Sequence, residues 1–194
     1  MNKKRICSFL FAVLFCVGSC CMPASAKDLG YKWNKTSITF YCGFSGSQKT
    51  AVQSAMTKWN AVKNSAGKTM VKMSLTTGAA DNDIKFVATL SSDTVGYCDT
   101  NASGGRIYAV SVKLNSGKQW SVGKASGKYD VQTVVMHELG HALGIAHCHE
   151  ASEGRGPCWS ATCLSNVMYP IAKTNYRNIT LTPYDTASYQ LIYD

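Results

Sequence analysis

One segment in the last third of the chain, His-Glu-Leu-Gly-His-Ala-Leu-Gly-Ile-Ala-His at residues 137–147, constrains the protein more than any other feature. His137 and His141 are four residues apart, so on a helix they lie on one face, a single turn from each other. Both imidazoles can then reach the same ion, held in place by the helix. Glu138 is offset around the helix, where it can contact a metal-bound water without ligating the metal.

The same segment predicts a third ligand. Gly144 can turn the chain out of the helix, because glycine tolerates a positive φ at a helix end. That turn would bring His147 back toward the other two histidines. Three protein ligands leave the fourth position of a zinc ion open, which is the arrangement that distinguishes catalytic from structural zinc.

The complete pattern, His-Glu-x-x-His-x-x-Gly-x-x-His, resembles the signature of the metzincin metalloproteases. Residues 166–170 (Asn-Val-Met-Tyr-Pro) are similar to the methionine-containing turn of that class, with Met168 as its methionine. The Met-Tyr-Pro ending resembles the matrixin branch, the matrix-metalloprotease-like group. Residues 32–40 and 80–86 resemble two matrixin strands, and residues 181–193 resemble the last helix of the domain.

The resemblance implies an α+β fold: a metzincin-type two-lobed domain with a twisted mixed β-sheet, a backing helix and a zinc helix. A loop-rich C-terminal lobe would end in a short helix. It also implies a zinc-dependent endopeptidase that hydrolyses peptide bonds through a zinc-bound water activated by Glu138. His137, His141 and His147 would hold one Zn²⁺, while Gly144 and Met168 would support the site.

Family resemblance also suggests how a substrate binds. A protein or peptide substrate would lie extended along an edge strand, and in metzincins the strand upstream of the zinc helix serves this purpose, which points to part of residues 106–114. Residues 169–176 would form the wall of the pocket for the side chain that follows the cut. Pro170 stands where a tyrosine can ligate zinc in astacins and serralysins, so the chain is matrixin-like at this position. Two positions depart from matrixins: Cys148 replaces a serine, and Tyr184 replaces the first aspartate of their pair.

The N-terminus has the features of a secretory signal peptide, here residues 1–26. A basic start at residues 3–5 precedes an apolar run at residues 6–21 and a small-residue Ala-Ser-Ala site at residues 24–26. Cleavage after Ala26 would leave a single catalytic domain at residues 27–194, secreted and monomeric. The alternative is a bacterial lipoprotein box at residues 17–20, which would tether the protein to a membrane by a lipid on Cys20.

Five cysteines remain after that cleavage, which favours an oxidising compartment and disulfide bonds but leaves one thiol over. Cys148, Cys158 and Cys163 cluster in the segment between the zinc motif and the Met-turn, and one disulfide bond between two of them would stabilise that segment. Cys42 and Cys98 are candidate partners for another. A zinc-ligating Cys148 that silences the enzyme is the alternative role for that residue.

Charge discriminates little between functions. The formal charge of +9 falls to +6 once the three basic residues of the signal segment are removed. The lysines are scattered singly, without the clusters that nucleic-acid binding needs, so we expect no nucleic-acid partner. Calcium is a further candidate ligand through Asp81, Asp83, Asp93 and Asp99, whose other role would be in loops and turns.

Periodicity predicts the remaining elements. Strands are expected at residues 36–42, 70–76, 83–88 and 106–114. A long amphipathic helix carries a buried stripe of Val52, Ala55, Met56, Trp59 and Val62. Asp130 is expected to cap the zinc helix, and Thr182 followed by Pro183 and Asp185 predicts the start of the last helix.

Two other functions fit the same residues. A non-catalytic zinc-binding or adhesive protein could keep the fold and lose turnover, although the intact Glu138 argues against that. A peptidase with one narrow target would have the same sequence features as a broad protease.

Overall fold

The computed structural model describes residues 28–148 and 161–194. The signal peptide at residues 1–26, the lipid-anchor alternative at Cys20 and the cysteine at position 158 lie outside the described residues. Within the described residues, no helix is both long and apolar enough to cross a membrane.

A mixed five-stranded sheet forms the first part of the domain, and helices follow in the second. The strands are β1 (Ser37–Cys42), β2 (Lys72–Thr76), β3 (Asn82–Val87), β4 (Gly96–Ser103) and β5 (Arg106–Asn115), with two short strands β6 (Trp120–Ser121) and β7 (Tyr129–Asp130) paired separately. The helices are α1 (Gly46–Asn60), α2 (Val131–Ala142), α3 (Ala161–Leu164) and α4 (Pro183–Tyr193). This α+β architecture confirms the expected fold class.

The order of strands across the sheet is β2-β1-β3-β5-β4. The first four are parallel to one another, and β4 runs antiparallel to β5. Strand β4 therefore forms one edge of the sheet, while β5 is paired on both sides. The prediction that residues 106–114 offer a free edge to substrate was wrong: these residues are β5, whose backbone groups are used by β3 and β4.

Helices α1 and α2 pack together in the hydrophobic core. Val52, Ala55, Met56 and Trp59 are buried along α1, as the periodicity predicted, and Val62 is buried just beyond its end. The indole Nε1 of Trp59 donates to the Met136 carbonyl of α2 over 2.9 Å. The core thus fixes α2, the helix that carries two of the three histidines.

Capping side chains set where α2 and α4 begin. The Asp130 carboxylate accepts the Thr133 N–H at 3.0 Å, as expected for the N-cap of the zinc helix. Thr182 and Asp185 form a capping box with Pro183 at the first helical position of α4. Both starts confirm the sequence-based predictions.

Cys42 and Cys98 are not disulfide partners, because both carry free thiols. Cys42 ends β1 and Cys98 lies in β4, with β3 and β5 between them. Three strand spacings amount to about 14 Å, whereas a disulfide needs Cα atoms within about 7 Å. The Cys42–Cys98 disulfide could not be assessed from the sequence, because the spacing of the cysteines gives no information on the order of strands in the sheet.

Candidate metal centre and active-site cleft

Three histidine nitrogens converge at the C-terminal end of α2. The Nε2 atoms of His137, His141 and His147 lie 3.0 to 3.2 Å from one another. Among the described residues, these three histidines form the group whose ligand atoms are close enough to share a metal ion. The structure therefore brings together the three residues that the sequence selected as zinc ligands, and Cys148 is not part of the group.

The chemistry of these nitrogens fits a zinc ion. His137 Nδ1 lies 2.8 Å from the Val167 carbonyl and His141 Nδ1 lies 2.8 Å from the Ile145 carbonyl. A carbonyl only accepts, so in both rings Nδ1 carries the proton and Nε2 is left with a lone pair for a metal. Nitrogens at about 2.0–2.1 Å from a tetrahedral zinc lie roughly 3.3 Å apart, close to the spacing in this site.

Burial keeps the His137 and His141 imidazoles in the neutral form that a metal requires. It lowers the pKa of His137 well below its usual value, and the neighbouring His141 and His147 lower it further. Burial, helped by His147, likewise lowers the pKa of His141 to about 4. Ligation by neutral imidazole is therefore available without first removing a proton.

Gly144 makes the turn that returns the chain to the site. Its φ is +90°, a left-handed conformation that favours glycine. A Cβ built on Gly144 would also lie 2.4 Å from the Tyr31 carbonyl oxygen. Both the backbone conformation and the close approach of the N-terminal segment thus require glycine, which gives the predicted supporting residue a physical role.

Glu138 lies beside the histidines with its side chain buried. Burial raises the pKa of Glu138 to about 8, and the backbone N–H of Cys98 opposes that rise by favouring the carboxylate. Strand β4 comes so close here that a Cβ on Gly96 would stand 2.6 Å from Glu138 Oε1. The edge strand and the glutamate therefore face each other directly across the site.

Met168 packs against α2 and is fully buried. Its sulfur packs against Gly140 of α2, where a Cβ would be only 2.2 Å away. The Asp185 carboxylate accepts the backbone N–H groups of Val167 and Met168 at 3.0 and 3.1 Å. The turn predicted from the Asn-Val-Met-Tyr-Pro sequence is thus held from both sides, by α2 and by α4.

A cleft of about 670 Å³ opens over these residues. One rim is formed by residues 93–98 and Thr100, at and before β4, and the opposite rim by residues between 164 and 178. His137, Glu138, His141 and His147 lie between the rims. The residues expected to form a pocket wall, 169–176, contribute Tyr169, Pro170, Ile171, Ala172 and Tyr176 to the second rim.

Sequence reasoning missed two parts of this site. Strand β4 was not predicted, because Gly-Tyr-Cys-Asp-Thr-Asn-Ala-Ser has few β-branched residues and no clear alternation. Leu29 and Tyr31 of the N-terminal segment also line the cleft, and no local pattern marks them. The sequence signal for β4 was weak. It consisted of a small residue followed by an aromatic residue, in a stretch between two predicted strands.

The aspartates considered for calcium are not brought together. Asp83 pairs with Lys85 at 2.5 Å, and Asp99 pairs with Lys113 at 2.7 Å. Among the described residues, no group that includes Asp81, Asp83, Asp93 or Asp99 meets the spacing of a metal site. Strands β3 and β4, which carry Asp83 and Asp99, are separated by β5.

Fold and site together define a metallopeptidase of the metzincin type. The family model described as Matrixin matches residues 32–194, so the chain belongs to the matrixin family. No curated protein matches the chain.

Among solved structures, that of myroilysin is similar in fold. The two chains share 16% sequence identity with a TM-score of 0.50, and the match covers 84% of this chain and 95% of the other. At this identity the likeness supports the fold alone.

Proposed function

We propose that this chain is a secreted zinc-dependent endopeptidase in which Glu138 is the catalytic base. The observation that carries the proposal is the convergence of three histidine Nε2 atoms within 3.2 Å, next to a buried glutamate at the bottom of an open cleft. Membership of the matrixin family implies zinc as the metal and a peptide as the substrate.

His137, His141 and His147 would hold the ion, with Gly144 setting the turn between the last two. Zinc bound there supplies a Lewis acid that polarises the scissile carbonyl and lowers the pKa of a water. The Val167 and Ile145 carbonyls orient two of the rings, so that their Nε2 lone pairs point at a common centre. Met168 would support the helix that carries His137 and His141 by packing against Gly140.

Glu138 would accept the proton of the attacking water and deliver it to the departing amine, acting as base and then as acid. It projects toward the rim formed by β4 and is adjacent in sequence to a ligand, so it can reach a water at the centre without occupying a ligand position. The Glu138 carboxylate is not among the atoms of the three-histidine cluster that could hold the metal.

The substrate would bind as an extended peptide beside β4. Among the described residues, no strand pairs with β4 on the side that faces away from β5, so a peptide can pair there. The rim at residues 169–176 would then receive the side chain after the cut. We expect the protein to act as a monomer, with no nucleic-acid partner.

Location and processing follow from the N-terminal sequence. Removal of residues 1–26 would release the domain at residues 27–194 outside the cell, while a lipid on Cys20 is the alternative that would anchor it to a membrane. We also expect one disulfide bond among Cys148, Cys158 and Cys163, which would link the segment before the Met-turn and fits an oxidising compartment. Within the part of the chain that the structure describes, the four candidate aspartates form no metal-binding group. The cofactor we propose is one catalytic zinc.

The test is cleavage of an unstructured protein such as casein by the chain starting at Lys27, with a Glu138→Ala variant and a chelator control. We expect cleavage to be lost in both controls, with zinc content unchanged in Glu138→Ala. Turnover that survives in Glu138→Ala would refute the assigned base. A folded, zinc-loaded chain that cleaves neither casein nor a diverse peptide library would instead point to a binding protein.

A further inference from the structure

The N-terminal segment at residues 28–32 lies between the turn of the zinc motif and the sheet. Asp28 forms an antiparallel bridge with Ile145, and the Leu29 N–H donates to the Gly144 carbonyl over 2.8 Å. On its other side, the Lys32 N–H donates to the Gly105 carbonyl over 3.0 Å, next to the start of β5. The segment is thereby attached both to the turn of the zinc motif and to the sheet.

Tyr31 lies in the middle of this segment and points its side chain at the edge strand. Its ring is half-buried and packs against the hydrophobic core. Burial raises the pKa of the Tyr31 phenol, while polar contact with the Thr100 side chain of β4 opposes the rise. The carbonyl of Tyr31 is the atom that leaves no room for a side chain at Gly144. The backbone and the ring of Tyr31 are therefore both held in place.

The position of Tyr31 along the cleft can be read from its neighbours. Gly96 approaches Val134 and Glu138, so the beginning of β4 lies over the N-terminal half of α2. Tyr31 approaches Thr100, which is further along β4, and Gly144, which is beyond the C-terminal end of α2. Tyr31 and the Gly96–Val134 contact therefore lie at opposite ends of the cleft, with the histidines between them.

The pocket wall after Met168 lies at the Val134 end. The Asn178 N–H donates to Thr133 Oγ1 over 2.9 Å, which attaches the second rim to the start of α2. If the side chain after the cut enters there, residues before the cut must extend past the histidines toward Leu29 and Tyr31. This step rests on the proposed function.

We propose that Tyr31, with Leu29, determines the specificity of the enzyme for the residues that precede the scissile bond, and that this end of the cleft takes apolar or aromatic side chains. The described lining residues at this end are Leu29, Tyr31, Cys98 and Thr100, which carry no formal charge. No lysine or arginine occurs among the described residues that line the cleft. An acidic side chain here would lose its water without gaining an ion pair, whereas an apolar one would bury its surface against the Tyr31 ring.

The experiment is specificity profiling of the zinc-loaded chain with internally quenched peptides that vary one position at a time on either side of the cut. In Tyr31→Ala we expect kcat/KM for peptides with a large apolar residue before the cut to fall about tenfold, mainly through KM. The preference after the cut should not change. Tyr31→Phe keeps the ring and should retain the wild-type profile, and Leu29→Ala should give a smaller loss of the same kind.

Tyr41→Ala is the matched control, because Tyr41 is a solvent-exposed tyrosine outside the cleft. It lies on β1, which two strands separate from the edge strand β4. Melting temperatures of all variants separate loss of folding from loss of recognition, and Leu29→Ala keeps the test available if Tyr31→Ala is unstable. A wild-type profile in both Tyr31→Ala and Leu29→Ala would overturn the inference, as would an equal loss of kcat for every peptide. Wild-type enzyme that cleaves no peptide at all would overturn the proposed function, and this inference with it.

Discussion

The carboxylate of Asp185 and the imidazole of His137 are joined through a single residue, Val167. Asp185 Oδ2 accepts the Val167 N–H at 3.0 Å, and the Val167 carbonyl lies 2.8 Å from His137 Nδ1. Asp185 also accepts the Met168 N–H at 3.1 Å and belongs to the capping box of α4. A residue of the last helix thus fixes the orientation of a candidate ligand on the zinc helix.

Replacing Asp185 by alanine should weaken both the fold and the metal site. The side chain is fully buried, and its loss leaves the N–H groups of Val167, Met168 and Thr182 without their acceptor. We expect the free energy of unfolding to fall by about 3 kcal/mol or more, and zinc affinity to fall about tenfold. Urea denaturation and zinc competition with a chromogenic chelator measure the two effects.

The control for this variant is Asp99→Ala, which removes a surface carboxylate whose side chain is 55% exposed. It should change stability by less than about 1 kcal/mol and leave zinc affinity unchanged. Wild-type zinc affinity in a folded Asp185→Ala protein would show that Val167 orients His137 without help from α4.

The sequence predicted those parts of the site that depend on local geometry. The spacing of His137 and His141 is set by the helical repeat, and Gly144 has the positive φ that the turn to His147 requires. The edge position of β4 could not be predicted, because it depends on strand order, which joins distant segments. For the same reason Tyr31 was missed: it meets Gly144 from more than 100 positions away in the chain.

Gly140 should not tolerate a side chain, although it lies inside a helix. Alanine is normally favoured over glycine in a helix by about 1 kcal/mol, but here a Cβ would lie 2.2 Å from the Met168 sulfur and 3.1 Å from the Trp59 ring. We expect Gly140→Ala to lower the free energy of unfolding by about 1–3 kcal/mol. In a Met168→Ala background, Gly140→Ala should lower the free energy of unfolding by less. A double-mutant cycle measured by urea denaturation will detect this difference. An equal loss of unfolding free energy in both backgrounds would mean that the Met168 sulfur does not clash with the added side chain.

A side chain at Gly96 should affect turnover more than stability. The Cβ of alanine would lie 2.6 Å from Glu138 Oε1 and 2.7 Å from Val134 Cγ1, so the carboxylate must move away from its position under β4. Side-chain ends can move, so we expect a modest fall in melting temperature and at least a tenfold fall in kcat, measured on a casein-derived peptide. Gly78→Ala is the control, because its nearest neighbour would be 4.0 Å away. Unchanged kcat in Gly96→Ala would show that Glu138 can act from a shifted position.

The hydroxyl of Tyr169 is a polar group whose removal should stabilise the protein. It is buried and has no hydrogen-bond partner among the described residues. A buried unsatisfied hydroxyl costs about 1 kcal/mol or more, so Tyr169→Phe should raise the free energy of unfolding by roughly that amount. Urea denaturation measures this change, and peptide cleavage is followed in the same variant. A loss of cleavage without loss of stability would instead assign the hydroxyl a contact with substrate.

Removing the metal should destabilise the protein through the three histidines and independently of Glu138. A ligand that binds only the folded chain stabilises it by about 4 kcal/mol at a thousandfold excess over its Kd, and His137, His141 and His147 converge only in the folded chain. Chelation should therefore lower the melting temperature of the wild type, and added zinc should restore it. Glu138→Ala should show the same shift although it lacks turnover, whereas His141→Ala should show almost none. A chelator effect that persists in His141→Ala would place the stabilising metal at another site in the chain.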